Sequence, residues 1–370
     1  MEHRRCQETG RGTFYGEYVY DRIIPEEHFL RKLDEVVDWE RFSQKLIVLY
    51  KGNGQYGRPP FEPVLLLKML LLAYLYNLSE RQTETYVNDS MSAKYFLGLA
   101  LDEAAPDHST LTKFKERLIR NQTMSQVESL LAEIVRIAMD KGIEFGSVQI
   151  LDSTHSVADV NTGKDESRKK GGRGPRDPDA SWGVKHSRKV RDEQGNAHHQ
   201  VEYFHGYKTH LSLNAKSGLI TALKATPGNE FDGNQLPPLL QQDEETGVEY
   251  DIVTGDRAYD DGNHHCLLQQ KGLHSAIHLK GYRIRKKDAN KQIWIDLQST
   301  PQYQQGLRER YKIERKFGEA KQSHGLGRCR YVGLRKYYLQ AILTAMVLNL
   351  KRMVKILTGV GFKTRTAPAA

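Results

Sequence analysis

The sequence predicts a mixed α/β protein, with an all-helical N-terminal domain followed by a strand-containing domain that ends in a helix. Apolar residues between positions 24 and 141 recur at the spacing of amphipathic helices. From position 147 onwards, short runs rich in β-branched residues are bounded by Gly and polar residues, as strands are. With 370 residues, the chain has room for two or three domains.

Charge and composition narrow the function classes. The net charge of +9 and the pI of about 9.2 favour a polyanionic partner, nucleic acid first and a membrane surface second. The longest apolar run, residues 64–76, contains Lys68 and is too short to span a bilayer, so it predicts a buried helix. The N-terminus lacks the apolar stretch of a signal peptide. The scattered Cys6, Cys266 and Cys329 suit a reducing cytoplasm and do not form a CxxC zinc motif.

Capping residues and apolar stripes predict the helices of the N-terminal domain. The predicted starts fall at Pro25, at Asp38, at a capping box of Ser79 with Gln82, and at Asp107 or Ser109. A further stripe at helical spacing comprises Val127, Leu130, Leu131, Ile134 and Ala138. We therefore assign residues 24–145 to a helical domain, after an N-terminal extension of residues 1–23.

The helix predicted over residues 108–120 is a candidate for DNA recognition. Its apolar side faces inward, and its basic side is predicted to face out: Lys113, Lys115, Arg117 and Arg120. Together with residues 79–90 it can form a helix-turn-helix-like unit, whose second helix would place Lys113, Arg117 and Arg120 in a major groove. A purely structural bundle with a solvated basic face fits the same pattern equally well.

The second half of the chain is predicted to alternate strands and loops. Strands are expected at residues 147–154, 203–213, 218–225, 251–256 and 274–280, with the second and third forming a hairpin. Residues 161–200 are dense in Gly, Pro and charge and are predicted to form a flexible basic loop. A long amphipathic helix over residues 334–357 ends this domain, which we assign to residues 146–357, and a disordered tail is expected over residues 358–370.

The segment from Leu307 to Lys321 carries the most informative acid of the chain. Arg310, Glu314 and Lys321 stand at i, i+4 and i+11, within about 40° of one another on a helix. The apolar stripe Ile313, Phe317 and Ala320 runs beside them, whereas the acids Glu309 and Glu319 fall about 140° from Glu314. Taken alone, this pattern also fits a solvated face with ordinary i, i+4 ion pairs.

Two further acids end predicted strands: Asp152 in ILDST and Asp256 in TGDRAY. Three carboxylates from two strand ends and a late helix can hold a pair of divalent cations about 4 Å apart, as phosphodiester chemistry requires. Oxygen ligands select Mg²⁺, with Mn²⁺ as a substitute. Asp152 would bridge both ions, Asp256 and Glu314 would each hold one, and Arg310 and Lys321 would contact phosphate. Asp232 is assigned to a turn or cap, and the scattered histidines have no zinc spacing.

Together these motifs resemble the DDE transposases of bacterial insertion sequences, in the insertion-sequence-five family of the four/five superfamily. That family's hallmark is Y-x-x-R-x-x-x-E-x-x-x-x-x-x-K, which Arg310, Glu314 and Lys321 match in register, while Leu307 replaces the tyrosine. Asp152 in ILDST and Asp256 in GDRAY match the two aspartates. GYKTH at residues 206–210, PDHSTLTKFKERL and the C-terminal RYVGLRKYYLQ also resemble the family, so the similarity covers residues 25 to 355.

The resemblance implies an RNase H-like catalytic domain with a central mixed sheet, and N-terminal helices that bind transposon ends. It also implies two Mg²⁺ ions, double-stranded DNA as partner and a homodimer in a synaptic complex, in the bacterial cytoplasm near the nucleoid, with no membrane. The predicted DNA-contacting residues of the second domain are Arg310, Lys321, Arg315, Lys169, Lys170, Arg173, Arg283, Arg285 and Lys286. Two alternatives stay open: a catalytically inactive DNA-binding protein of transposase descent, and another RNase H-like nuclease.

Overall fold

The computed structural model describes residues 6–7, 14–50, 59–120, 124–191, 197–285 and 290–362. Only the backbone is described at residues 14–15, 124–126, 169, 186–191, 197–199 and 285. The chain divides into two compact units, of which the first comprises Met1–Ile143 with Ile342–Ala370 and the second Glu144–Ala341.

The first unit is helical and is built around a fully buried helix. Its helices are α1 Phe14–Ile23, α2 Phe29–Val36, α3 Glu40–Leu46, α4 Pro63–Leu75, α5 Glu80–Asp89, α6 Met91–Leu97, α7 His108–Leu118 and α8 Met124–Asp140, with a 3-10 turn at Ile47–Leu49. Every residue of α4 is buried, which confirms the prediction for the apolar run. Lys68 within α4 pairs with Asp34 at 2.6 Å and lies over the ring of Trp39, so its charge is compensated.

Two of the four predicted helix starts agree with this unit, and the start predicted at Asp38 is off by one residue, because the N-cap of α3 is Trp39. Ser79 and Gln82 form the predicted capping box at α5, and the Asp107 side chain accepts the backbone N–H of Thr110 at α7. The predicted start at Pro25 is wrong, because α2 begins at Phe29 and is capped by His28. No single helix in the described ranges is long and apolar enough to cross a membrane, and only the bent pair Pro63–Leu75 with Glu80–Asp89 passes by length and composition together.

Both ends assigned as an extension and a tail contain ordered residues of the first unit. Tyr20 of α1 is buried, and its hydroxyl donates to the Leu99 carbonyl at 2.9 Å. Phe362 packs edge-on against Phe29 and Tyr76, with ring centroids 5.0 and 5.3 Å apart. Aromatic burial therefore extends the unit beyond the predicted boundaries, and residues 363–370 lie outside the described part of the chain.

The second unit contains a six-stranded mixed sheet. Its elements are β1 Val148–Val157, α9 Thr162–Lys170, β2 Ser181–Arg191, β3 Ala197–Asn214, β4 Ile220–Pro227, α10 Leu236–Thr246, β5 Ile252–Thr254, α11 Gly262–Gln270, β6 His274–Ser275, α12 Gly281–Arg285, α13 Lys291–Ser299, α14 Pro301–Glu309, α15 Tyr311–His324 and the start of α16 Leu334–Thr358. Two 3-10 turns are at Asp232–Gln235 and Arg257–Tyr259.

The strand order confirms the predicted fold class. The sheet runs β2-β3-β1-β5-β6, and β4 pairs with the C-terminal half of β3. β1, β3 and β4 are antiparallel neighbours, and β5 and β6 continue the sheet parallel to β1. An antiparallel meander extended by two parallel strands is the sheet of an RNase H-like domain, here with the additional strand β2 on the long strand β3.

Helices cover both faces of this sheet, because neighbouring strand residues point to opposite sides. Val253 packs with Leu151 and with residues of α10 and α11. On the other face, Gly306 of α14 lies against Ile252 and Thr254. The stripe Ile313, Phe317 and Ala320 of α15 is buried as predicted. Asp152 and Asp256 therefore follow strand segments that are fixed on both sides.

The prediction of a flexible loop over residues 161–200 is wrong for the residues described there. They form α9, strand β2 and the start of β3. Asp177, which is 1% exposed, accepts the Tyr207 hydroxyl at 2.6 Å, and Asp179 accepts the backbone N–H of Leu334 at 3.0 Å. The buried Asp177 and the exposed Asp179 thus anchor a segment whose Gly, Pro and charge content is typical of loops.

Candidate active site

Asp152 lies on β1 just beyond the point where the parallel strand β5 ends. β5 pairs with Val148–Ile150 only, so the following residues of β1 have β3 on one side and, among the described residues, no strand on the other. The Asp152 side chain is 16% exposed, and burial followed by repulsion from Asp256 raises its pKa to about 7. This carboxylate therefore stands in a site that favours added positive charge.

Asp256 is held in the turn that follows β5. It caps the 3-10 turn Arg257–Tyr259, and its side chain accepts the backbone N–H of Ala258 at 2.8 Å. Tyr259 is buried beneath this turn, and its hydroxyl has no hydrogen-bond partner among the described residues. Burial raises the pKa of Tyr259 well above its ordinary value, and the charges of Asp152, Asp232 and Asp256 raise it further. The phenol thus lies within the field of all three aspartates.

Asp232 joins this acidic region from the 3-10 turn that precedes α10. Its carboxylate pairs with Lys208 at 2.8 Å. A Cβ on the buried Gly233 would lie 2.8 Å from the Ala258 carbonyl, so the two 3-10 turns are in direct contact. The prediction that Asp232 is a turn residue is correct, but that turn packs on the one that carries Asp256.

Arg310 connects Asp152 with Glu314. The segment predicted as one helix breaks at this residue, since α14 ends at Glu309 and α15 begins at Tyr311. One nitrogen of the guanidinium, Nη2, lies 3.9 Å from an Asp152 oxygen and 3.8 Å from a Glu314 oxygen. Its Nε is buried and has no hydrogen-bond partner in the described part of the chain. The two contacts are ion pairs beyond hydrogen-bond distance, which leaves donors for an incoming oxyanion.

The donor chemistry at this centre fits a divalent cation. Within the described ranges, no three His, Cys, Asp or Glu side chains stand close enough together to hold a metal ion as they are placed. Asp152, Asp256 and Glu314 nevertheless offer only carboxylate oxygens, the ligands that Mg²⁺ and Mn²⁺ prefer. The Arg310 guanidinium now provides the positive charge that Asp152 and Glu314 share.

The predicted DNA-contacting residues of the second unit have different surroundings. Lys170 and Arg173 are exposed, and Arg315 is exposed with its guanidinium 4.9 Å above the Tyr311 ring. Lys321 is half-buried, and burial lowers its pKa. Only the backbone of Lys169 and Arg285 is described, and Lys286 lies outside the described residues.

Arg283 has an internal partner. Its guanidinium pairs with the buried Asp260 at 2.7 Å and lies 4.3 Å from the ring centroid of Trp294. His265 and the backbone N–H of Lys280 also donate to Asp260, at 2.9 and 2.6 Å. Arg283 was predicted to contact phosphate. In this structure it instead holds in place the segment that follows the Asp256 turn.

Lys113 of the basic helix α7 and Arg120, two residues after its end, are exposed to solvent, whereas Arg117 lies 4.5 Å over the Tyr50 ring. Lys115 was predicted to face outward, and this is wrong: it is 8% exposed and pairs with Glu80. Helix α6 separates α5 from α7, although Glu84 and His108 connect the two at 2.7 Å. A short turn, which a helix-turn-helix requires, is therefore absent between these two described helices.

Sequence reasoning overlooked two residues of the site. Tyr259 belongs to the quoted GDRAY motif, but a tyrosine three residues after a candidate site aspartate also fits an ordinary core position. Asp260 was not singled out from the sequence. A buried acid can be recognised from sequence only through its partners, and His265 and Arg283 are too far along the chain to be paired with it by spacing.

Comparison with known proteins agrees with this geometry. A transposase domain of unknown function, DUF772, matches residues 18–117. The transposase DDE domain matches residues 144–350. Among solved structures, the Mos1 transposase paired-end complex with left transposon end is 11% identical and covers 77% of this chain and 86% of its own, but its TM-score of 0.21 carries no argument. The insertion-sequence-five subfamily stays a prediction. Because the DDE model matches more than half of the chain, over the residues that carry Asp152, Asp256 and Glu314, this protein belongs to the transposase DDE domain family.

Proposed function

We propose that this protein is a DNA transposase that binds the terminal inverted repeats of its insertion sequence, cleaves the DNA at the element ends and joins the freed 3′-OH to target DNA. One observation carries the proposal: Asp152 and Glu314, from distant parts of the chain, meet the same guanidinium of Arg310 at the open edge of β1. Asp256 lies in the turn beside this edge and acts electrostatically on Asp152.

The acidic and basic side chains of the site would have different roles. Asp152, Asp256 and Glu314 would hold two Mg²⁺ ions, or Mn²⁺ in their place. When bound, such ions polarise the phosphate and activate the attacking oxygen. Arg310 would bind the scissile phosphate through donors that the ion pairs leave open, including its buried Nε. The site thus combines acids for cations with a cation for the anionic substrate.

The protein would act on double-stranded DNA, and as a homodimer that holds two ends in one complex. The charge of +9 supports a DNA partner. The exposed Lys170, Arg173, Lys113 and Arg120 support backbone contacts from both units.

The test uses the full-length chain and a duplex that carries the inverted repeat flanking its gene, with Mg²⁺ or Mn²⁺. Glu314→Gln, Asp152→Asn and Asp256→Asn are each expected to lower the cleavage rate by at least ~10³-fold and to leave end binding within a few-fold, because only metal binding is lost. Glu319→Gln, on the same helix but away from the site, is the matched control and should cleave normally.

The outcomes separate the candidate functions. Full cleavage by Glu314→Gln would remove this residue from the site. Binding of ends by the unaltered protein without cleavage in either metal would favour an inactive DNA-binding protein. Cutting of branched or arbitrary DNA without strand transfer would favour another RNase H-like nuclease.

A further inference from the structure

The open edge of β1 continues for several residues past Asp152. The next backbone contact on that side is the bridge between Val157 and Arg328. Between these points lies His155, three residues beyond Asp152 and hence about 10 Å along the strand, with its side chain on the opposite face of the sheet from that of Asp152. A DNA strand that passes this edge with its scissile phosphate at Asp152 would have neighbouring phosphates within this distance, because phosphates repeat every ~3.4 Å along the duplex axis. Lys208, on the face of His155, pairs with Asp232, whose charge also acts on Asp152, so the two faces are in electrostatic contact here.

His155 stands directly opposite Lys208 in the β1–β3 register, so the two side chains share one face of the sheet. The His155 ring also contacts the ring of Phe204, at 4.8 Å between centroids. The Lys208 ammonium donates to Asp232 and to the Glu230 carbonyl, both at 2.8 Å. An ammonium has three donors, so one N–H of Lys208 is left for another acceptor.

Two more lysines act on the same position. Burial first, and then the charges of Lys321, Lys185 and Lys208, lower the pKa of His155 to about 4. Lys185 also lowers the pKa of Lys321, so these two ammonium groups lie within electrostatic reach of each other. Asp232 pairs with Lys208 and Glu202 pairs with Lys185, so two of these three positive charges have a carboxylate partner and a further anion is favoured by the third.

The carboxylates near these lysines do not satisfy them fully. Lys185 pairs at 2.6 Å with Glu202, whose side chain is 48% exposed. Such a half-exposed pair contributes little to stability and can exchange for another anion. Lys321 makes no ion pair with any carboxylate among the described residues. The cluster therefore retains positive charge beside the edge where the substrate strand would lie.

We propose that Lys185, Lys208 and Lys321, with His155 among them, bind a backbone phosphate of the cleaved DNA strand, within about three nucleotides of the scissile phosphate. The inference rests on the proposed function and adds a substrate-positioning site to it. Lys321 was expected to contact DNA from its motif; Lys185, Lys208 and His155 were not. Lysine commonly binds phosphate through its compact positive charge. The cluster therefore favours an oxyanion as the bound group over a neutral base.

The experiment couples single side chains to single phosphates. Duplexes that carry the flanking inverted repeat are made with a neutral methylphosphonate at one position at a time along the cleaved strand, and binding is measured without divalent metal. For the unaltered protein, one position within about three nucleotides of the scissile phosphate should weaken binding by ~5–10-fold. Lys185→Ala should weaken binding to the normal duplex by a similar factor, and the methylphosphonate at that position should then have no further effect.

Lys271→Ala is the matched control. Lys271 is also a partly exposed lysine paired with a glutamate, Glu244. It lies between α11 and β6, and β6 is at the opposite end of the sheet from β2. It should bind every duplex as the unaltered protein does. Lys208→Gln tests a second member of the cluster, and a thermal melt of each variant confirms that it is folded.

The inference would be overturned if, in folded variants, the loss from Lys185→Ala or Lys208→Gln simply added to the loss from the methylphosphonate at every position. End binding and cleavage, and with them the proposed function, would be intact in that case. Equal losses for Lys271→Ala would overturn it as well, because they would reflect general charge. Failure of the unaltered protein to bind the ends would overturn the proposed function, and the inference with it.

Discussion

Asp260 and Asp261 are adjacent aspartates with opposite surroundings. Asp260 is 1% exposed and is bound by Arg283, His265 and the backbone of Lys280. Burial alone would raise its pKa, but these partners hold the pKa below the ordinary value. Asp261 is exposed and caps α11 through the backbone N–H of Asn263. The first joins distant segments, and the second ends one helix.

We predict that Asp260→Ala lowers the free energy of unfolding by about 3–5 kcal/mol, because it leaves the buried guanidinium of Arg283 without its counter-charge. Asp261→Ala, which removes only a helix cap, should cost about 1 kcal/mol. Urea denaturation of both variants measures the difference. Equal costs would show that the Asp260 pairs contribute no more than a cap.

Asp243 predicts a pH dependence of stability. It is fully buried on α10, accepts the Ser212 hydroxyl at 2.6 Å, and burial raises its pKa to about 7. Between about pH 4 and pH 7 the unfolded chain has released this proton while the folded protein retains it. Folding then takes up a proton, so this group's contribution to stability is complete below pH 4 and is lost as the pH rises through 7.

Asp243→Asn should therefore reduce the fall in unfolding free energy between pH 5 and pH 7.5, which urea titrations at both pH values measure. The exposed Asp251→Asn, in the same unit, is the control and should leave that fall unchanged. An unaltered fall in Asp243→Asn would show that Asp243 is ionised in the folded protein at pH 5.

Whether a charged side chain faces solvent was harder to predict from the sequence when its partner lies inside the protein. Lys115 and Arg283 carry charges that composition assigns to the surface, yet each pairs with a buried or half-buried acid. Pairing of this kind depends on which segments meet in three dimensions, so neither period nor motif reveals it. By contrast, Ser79, Gln82 and Asp107 act on neighbouring residues, and their caps were predictable.

At the scale of elements, α14 and α15 determine where Glu314 lies. A Cβ on Gly306 of α14 would lie 3.2 Å from the Thr254 Cβ and 3.3 Å from the Ile252 Cγ2, and closer still to the Ala276 Cβ. A Cβ on Gly318 of α15 would meet nothing within 4 Å. Both glycines are in helices, but only Gly306 is required by packing.

Gly306→Ala should lower the free energy of unfolding by about 1–3 kcal/mol through overpacking, and it should slow cleavage because α14 leads directly into Arg310. Gly318→Ala should raise stability by about 0.5–1 kcal/mol, the ordinary gain of alanine over glycine in a helix. Thermal melts and cleavage rates of the two variants test this pair. Stabilisation by both would mean that α14 can move away from β5 without cost.

The hairpin of β2 and β3 shows what local patterns miss. Its residues carry few β-branched side chains and follow a Gly- and Pro-rich stretch, so residues 161–200 resembled a loop. Pairing with the long strand β3 and the anchors at Asp177 and Asp179 make this segment regular. In contrast, β5 and the first four residues of β1 and of β4 are buried and mostly apolar, and these strands were evident from sequence.

For the whole molecule, the net charge of +9 predicts strongly salt-dependent binding to DNA of any sequence. If six to ten phosphates are neutralised, affinity for an arbitrary duplex should fall ~10³–10⁵-fold between 50 and 200 mM salt. Fluorescence anisotropy across this range measures the slope. A slope near zero would argue against backbone contacts as the main source of affinity.

The chain-wide resemblance predicted the family more securely than any single motif, and the family models confirm it over residues 18–117 and 144–350. The subfamily, the metal ions and the dimer stay predictions, since they depend on groups and partners beyond one chain. Leu307 still replaces the family tyrosine: Tyr303 is buried in the core, while Tyr311 is exposed beside Arg315.

The last helix, α16, has residues in both units: Leu334–Ala341 belong to the second and the rest to the first. Val347 and Leu350 of this helix line one small cavity with Phe29, Leu33 and Leu71. During synthesis on the ribosome, the sheet of the second unit is therefore complete before the first unit has its last helix. A ribosome that stops early would therefore release a fragment whose first unit has an unfinished apolar core, which makes it a target for proteases.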